Sequence, residues 1–157
     1  GEPYGMEFSS TRVMTIRRIE AGILGNLTDM DMTMTPFEAG LAPFIDMDKG
    51  DFVGRDALVG KDRRSLLLGL TCQSAIPTSA SAILDGGKVV GHITAGVPSP
   101  TLGCGIGYAR FKNPGDWAGR SLQLKLGDGT IHLAEIVDLP FFDREKNIVR
   151  GVDRSIP

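Results

Sequence analysis

Ala82-Ile83-Leu84-Asp85-Gly86-Gly87-Lys88-Val89-Val90-Gly91-His92-Ile93-Thr94-Ala95 places two short apolar runs on either side of Asp-Gly-Gly. Glycine tolerates the positive φ that two-residue connections demand, so the stretch predicts a tight hairpin between strands over 82–84 and 88–95. Gly127-Asp128-Gly129 repeats the signal between runs at 121–126 and 131–137. Two further strand-length runs, 65–72 and 106–110, are bounded by Gly, Pro, Asn and Asp. Six short strands with no helix between them predict a small antiparallel Greek-key β-barrel. The inward set is expected to comprise Leu68, Ile93, Ile106 and Leu124.

 The predicted barrel core is these four side chains.

The composition is that of an ordinary globular chain. It has 157 residues, 41% hydrophobic and 23% charged, with 17 basic against 19 acidic side chains and a net charge of −2. One domain, or one domain plus a piece of another, is the expectation. Nucleic-acid binding needs a clustered excess of Lys and Arg to displace counterions. The longest basic run is Lys61-Asp62-Arg63-Arg64, so no nucleic-acid partner is expected. No apolar stretch approaches the roughly 20 residues that cross a bilayer, and no charged-then-apolar leader opens the chain, so no membrane partner is expected. Cys72 and Cys104 are far apart, with no CxxC and no Cys/His cluster. Two reduced thiols in a cytoplasmic compartment follow, with neither a disulfide framework nor a metal site. The first residue is Gly, which fits a processed or tagged chain or part of a longer polypeptide.

Helical signal is confined to the first 58 residues. Val13, Ile16 and Ile19, with Met14 and Ala21, give a 3-and-4 spacing over 10–21; Ser9, Ser10 and Thr11 offer capping hydroxyls, and Gly22 stands where the helix stops. Short helices are also predicted over 35–40, where Thr35 caps and Gly40 ends the turn, and over 54–58.

Most candidate chemistry has a plainer explanation. Gly103-Cys104-Gly105-Ile106-Gly107 lacks the long helix and the later acidic residue of a nucleotide loop, and predicts a strand start where backbones approach closely. His92 and His132 lie inside predicted strands as half-buried structural residues. Ser74, Ser79, Ser81 and Ser99 have no GxSxG context. Asp46, Asp48 and Asp51 lack the remaining ligands of a calcium loop and form a solvated turn.

Order and wording carry more. Arg18-Ile19-Glu20-Ala21-Gly22, then Thr35-Pro36-Phe37-Glu38-Ala39-Gly40-Leu41, then Asp48-Lys49-Gly50-Asp51-Phe52-Val53-Gly54-Arg55-Asp56-Ala57-Leu58 resemble the "LRLEAG", "TPLEAGL" and "DKGDFIGREAL" segments of the glycine cleavage T-protein (aminomethyltransferase) family. Gly91-His92-Ile93-Thr94-Ala95-Gly96, Pro98-Ser99-Pro100-Thr101-Leu102 and Ile106-Gly107-Tyr108-Ala109 resemble its barrel segment "GxvTSGxxSPxLxxxigya". The resemblance implies the C-terminal portion of that family's longer chain: 1–60 as the last part of the folate-binding domain and 61–157 as the C-terminal barrel domain. The acidic residue that positions the reacting nitrogen would lie upstream, and no catalytic residue is assigned on this chain.

The family's folate-contacting arginine corresponds to Met14 here. Arg12-Val13-Met14 is closer to the dimethylglycine and sarcosine dehydrogenase version, and Phe141-Phe142-Asp143 is similar to dimethylsulfoniopropionate demethylase-like members. The resemblance implies transfer of a one-carbon unit from a small-molecule amine or methylated donor to tetrahydrofolate. Its cofactor-binding candidates are Arg12, Arg144 and Lys146, because folate carries an anionic tail. Arg12 is expected at or before the first helical turn, and Met14 against apolar protein. Glu20 and Glu38 are expected to brace helix and loop by accepting backbone hydrogen bonds. The rival reading is a non-catalytic barrel module that docks on a separate folate-binding region or chain.

Overall fold

The structure, a computed structural model, describes residues 2–154. Two helices, α1 (Thr11–Glu20) and α2 (Arg55–Leu58), precede six strands: β1 (Leu67–Cys72), β2 (Ala82–Asp85), β3 (Lys88–Ser99), β4 (Cys104–Phe111), β5 (Ser121–Lys125) and β6 (Ile131–Val137). The strands close into an antiparallel barrel in the order β1-β4-β3-β2-β5-β6, with β6 pairing back onto β1 through Gly69↔Val137 and Thr71↔Glu135. Strands β2, β3 and β4 form consecutive hairpins, and β1 returns to lie beside β4, which is a Greek key.

Both predicted hairpins form. Asp85 pairs with Lys88 across Gly86 and Gly87, whose φ values are +56° and +82°, and Lys125 pairs with Ile131. A third hairpin joins Ser99 to Cys104, so β3 and β4 run longer than the predicted strands.

Side chains alternate across the barrel wall. Leu70, Ile83, Ile93, Phe111, Leu124 and Ile136 fill the interior, and the Trp117 ring stacks on Phe111 at a centroid distance of 4.6 Å. On β4 the other parity, Ile106 and Tyr108, packs outside the barrel with Leu67, Val97 and Ile19 of α1. Ile106 therefore departs from the prediction. It is fully buried, but beneath α1 rather than inside. Leu68 is only partly buried, packed against the interior cluster, whereas Ile93 and Leu124 are interior as predicted.

The glycine run on β4 has the close-approach role that its sequence suggested. A Cβ on Gly105 would lie 2.1 Å from the Ala75 carbonyl oxygen, and one on Gly96 2.2 Å from that of Pro77. Those bare positions admit the β1–β2 connection against the strands.

Helix α1 ends at Gly22 as expected. With Gly22 at φ +70°, the Ile23 amide donates to the Arg18 carbonyl and the Gly22 amide to that of Ile19, a left-handed stop that glycine adopts without strain. The predicted 35–40 helix is instead one closed turn. Thr35 N–H donates to Glu38 Oε2 (2.7 Å) and Glu38 N–H to Thr35 Oγ1 (3.2 Å). The Leu41 amide, donating to the Pro36 carbonyl, ends the turn directly. Start and stop signals sit so close that no second turn fits between them.

Candidate functional site

The C-terminal end of α1 is tied to the barrel's outer wall by buried polar groups. Glu20, 2% exposed, accepts from Ser99 Oγ at 2.6 Å and from Arg17 Nη1 at 3.0 Å. Burial pushes its carboxyl up, but hydrogen bonds from Ser99, Thr101 and Arg17 outweigh that and hold it below the usual glutamate value. Asp29, fully buried, accepts from Gly25 N–H (2.7 Å), Thr94 Oγ1 (2.7 Å) and Arg18 Nη1 (2.9 Å). The buried Tyr108 hydroxyl donates to the carbonyls of Ile23 (3.0 Å) and Arg18 (3.2 Å), and burial raises its phenol well above the ordinary value. Arg110 on β4 donates to Asp31 at 2.8 Å, and its hydrogen bond is the main reason that carboxyl lies well below the usual range.

This clamp sets one wall of a cleft of about 680 Å³. Ala21, Gly22, Ile23 and Leu24 after α1 form that wall, and the loop from Ala39 to Phe44 forms another. The start of β1 and the segment after β6, with Asp138, Leu139, Pro140 and Lys146, complete it. The C-terminal segment is held there by Phe142 N–H donating to the Glu20 carbonyl at 3.0 Å and by Phe141 stacking on Tyr108 at 6.3 Å. A Cβ on Gly69 would meet the Phe141 ring at 2.8 Å, so β1 leaves room for that ring. Asp143 accepts from the amides of Asn147 (2.6 Å) and Ile148 (3.1 Å), folding the turn that carries Lys146. The cleft is mostly apolar, with Lys146 and Asp138 as its charged side chains. Its size and mostly apolar lining suit a small organic ligand.

The sequence-derived candidates separate in space. Lys146 lines the cleft. Arg144 lies beside it, donating through Nη2 to the Asp138 carbonyl at 3.2 Å. Arg12 is exposed in the first turn of α1, in line with the expected location, and is not among the cleft residues. Met14 does not face apolar protein within this chain: it is 73% exposed, because only the last turn of α1 is buried against the barrel. Glu38 accepts a backbone hydrogen bond as expected, whereas the Glu20 carboxylate is met by side chains. His132 is half-buried, with Nδ1 3.0 Å from Ser74 Oγ. His92 is exposed rather than half-buried, beside Arg110 in the β3–β4 register. Asp29, Ser99 and Tyr108 carry no signal in the sequence that marks them as a set. Each is ordinary in its local sequence, and only pairing across the fold brings them to α1.

A second cavity of about 360 Å³ opens at the barrel mouth between the 73–76 segment and the β3–β4 hairpin. Among the described residues no group of His, Cys, Asp and Glu could hold a metal ion, and no helix is long and apolar enough to cross a membrane.

Residues 63–143 match the family described as the glycine cleavage T-protein C-terminal barrel domain. An aminomethyltransferase of Streptomyces coelicolor is 36% identical over 141 residues, covering 82% of this chain and 37% of its own length. One from Streptomyces avermitilis is 34% identical over 158 residues, covering 93% of this chain and 41% of its own. The solved structure of glycine cleavage system aminomethyltransferase T from Bartonella henselae superposes with a TM-score of 0.76 at 22% identity, over 88% of this chain and 40% of that one. At that identity the superposition speaks for the fold. The chain thus spans about two fifths of the length of the relatives it matches.

Proposed function

The chain belongs to the glycine cleavage T-protein family, and from that membership we propose that it forms part of an enzyme that moves a one-carbon unit from an amine or methylated donor to tetrahydrofolate. The observation that carries the proposal to particular residues is the cleft at the end of α1, a mostly apolar lining with Lys146 and Asp138 as its charged residues. These residues fit one part of a folate molecule: Ile23, Leu24, Leu41 and Leu139 offer apolar surface to a ring, and Lys146 offers a cation to a carboxylate. When bound, tetrahydrofolate supplies the nitrogen that accepts the one-carbon unit.

In this reading the chain binds and orients rather than reacts. Lys146 holds the anionic end, Arg144 fixes the Asp138 backbone beside it, and the apolar walls keep water from the ring face. Arg12 serves the folate tail from the start of α1. Residues 1–60 belong to the folate-binding region and 61–157 to the barrel domain; the family match beginning at residue 63 supports a boundary there. A cytoplasmic location, in keeping with the free thiols of Cys72 and Cys104, belongs to the same proposal.

The test is a chimera in which this chain replaces the matched stretch of the Streptomyces coelicolor relative. Lys146→Ala should raise the Michaelis constant for polyglutamylated tetrahydrofolate by up to about tenfold, or ~1.4 kcal/mol, with little change in turnover. An unchanged Michaelis constant rules out the cleft as a folate subsite. The chain alone is expected to bind tetrahydrofolate weakly or not at all, and low-micromolar binding in calorimetry, about −8 kcal/mol, would overturn that.

A further inference from the structure

We propose that Ser74 is an activated nucleophile that takes an acyl group from a small activated ester, with His132 as its base and the cavity at the barrel mouth as the acyl pocket. That cavity shares no lining residue with the cleft at the end of α1, and the proposal does not depend on the folate reading.

The pair is set by the sheet. Strands β1 and β6 run antiparallel with Thr71 opposite Glu135, and the same register carried past the end of β1 sets Ser74 opposite His132. Ser74 Oγ lies 3.0 Å from His132 Nδ1, within the reach that a nucleophile needs from its base. The far side of the ring is held as well. His132 Nε2 is 3.2 Å from Thr130 Oγ1, and Asp128 Oδ1 accepts from the Thr130 hydroxyl (2.7 Å) and the Thr130 amide (2.9 Å). These contacts select one tautomer. A carboxylate only accepts, so Thr130 spends its hydroxyl proton on Asp128 and its oxygen is left to accept from the ring. Neutral His132 then carries its proton on Nε2, and Nδ1 offers a lone pair to the Ser74 hydroxyl. Ser74 is exposed and His132 half-buried, so a dissolved reagent reaches the hydroxyl while the imidazole stays oriented.

Ser74 also lines the cavity of about 360 Å³, whose wall includes Ala75, Ile76, Pro98 and Pro100. Apolar surface beside a reactive hydroxyl suits the hydrocarbon part of an acyl group. Gln73, on the same wall, carries an amide that can donate to an oxyanion. Ser74 Oγ forms a bond to the ester's carbonyl carbon as its proton passes to His132 Nδ1. The tetrahedral intermediate then collapses, the bond from that carbon to the leaving-group oxygen breaks, and His132 returns the proton to that oxygen. Ser74 is left as an ester and an alcohol departs. Thr130 and Asp128 are positioning residues, acting through the ring.

Incubation of the chain with p-nitrophenyl acetate, followed by mass spectrometry of the intact protein and its peptides, tests the proposal. Acetyl addition is expected at Ser74 about a hundredfold faster than at Ser121, an exposed serine on β5. His132→Gln should remove that advantage with the circular dichroism of the barrel retained. Thr130→Ser keeps the hydroxyl and should keep the Ser74 rate, whereas Thr130→Val should slow it. Ser74→Ala, at an exposed site, should abolish the fast release of p-nitrophenol, a readout that holds even where the acetyl ester is short-lived. Acetyl groups on lysines alone overturn the proposal, as does p-nitrophenol release that Ser74→Ala leaves unchanged. Labelling of Ser74 no faster than of Ser121, or undiminished in folded His132→Gln, also overturns it. Equal Ser74 rates in Thr130→Ser and Thr130→Val overturn the positioning role.

Discussion

Ser99 at the end of β3 donates a 2.6 Å hydrogen bond to the carboxylate of Glu20 at the end of α1, 79 positions away in sequence. The bond joins the helical segment to the barrel, and both residues are 2% exposed. Removing one donor from a buried charge leaves one of its oxygens less well compensated, so Ser99→Ala should cost about 1–3 kcal/mol in urea unfolding. The carboxyl is held below its ordinary value of 4.5. The ionised group therefore contributes stability that is complete above that value and is lost as pH falls through the folded one. Glu20→Gln should lower stability at neutral pH and flatten the acid limb of a stability–pH curve. An acid limb identical to wild type would show that Glu20 does not set it.

Tyr108→Phe removes a hydroxyl that donates to carbonyls at the C-terminal end of α1. A loss of about 1 kcal/mol is expected, since one polar partner goes and the carbonyls stay. Circular dichroism should retain the strand signal while amide exchange quickens at Ile23 and around Phe142.

The two inward side chains that sequence and structure agree on, Ile93 and Leu124, are fully buried. Truncation of either to Ala should cost about 2–5 kcal/mol. Leu133→Ala, at a site 70% exposed, should stay within about 0.5 kcal/mol in the same denaturant titration.

Gly105→Ala would place a Cβ 2.1 Å from a backbone oxygen, whereas the same change at Gly127 meets only the Ala80 methyl at 3.4 Å. The first should destabilise by about 1–3 kcal/mol and the second much less. Comparable melting temperatures for the two variants would contradict the packing of the β1–β2 connection.

Much of the barrel was legible because its signals are local. Asp85-Gly86-Gly87 and Gly127-Asp128-Gly129 each specify a turn within a few residues, and every predicted strand is present. The misassignment of Ile106 came from a property that is not local. Periodicity says which side chains share a face, but β4 is covered on both faces, so alternation could not say which one looks inward. The cleft was legible only in part. Lys146 could be named from wording, but the cleft joins segments around residues 22, 41, 67 and 139, which only the packing of the C-terminal segment on Tyr108 brings together.

The pairing of β6 with β1 has a consequence for how the chain is made. Synthesis runs from the N-terminus, so β1 emerges well before the strand that covers its second edge. Until Ile131–Val137 is available, β1 and β5 each present an open row of amides and carbonyls, a template for another chain to extend. A ribosome stalled before residue 131 would release a sticky sheet rather than a weakened barrel, and the nascent protein is most vulnerable to aggregation in that interval.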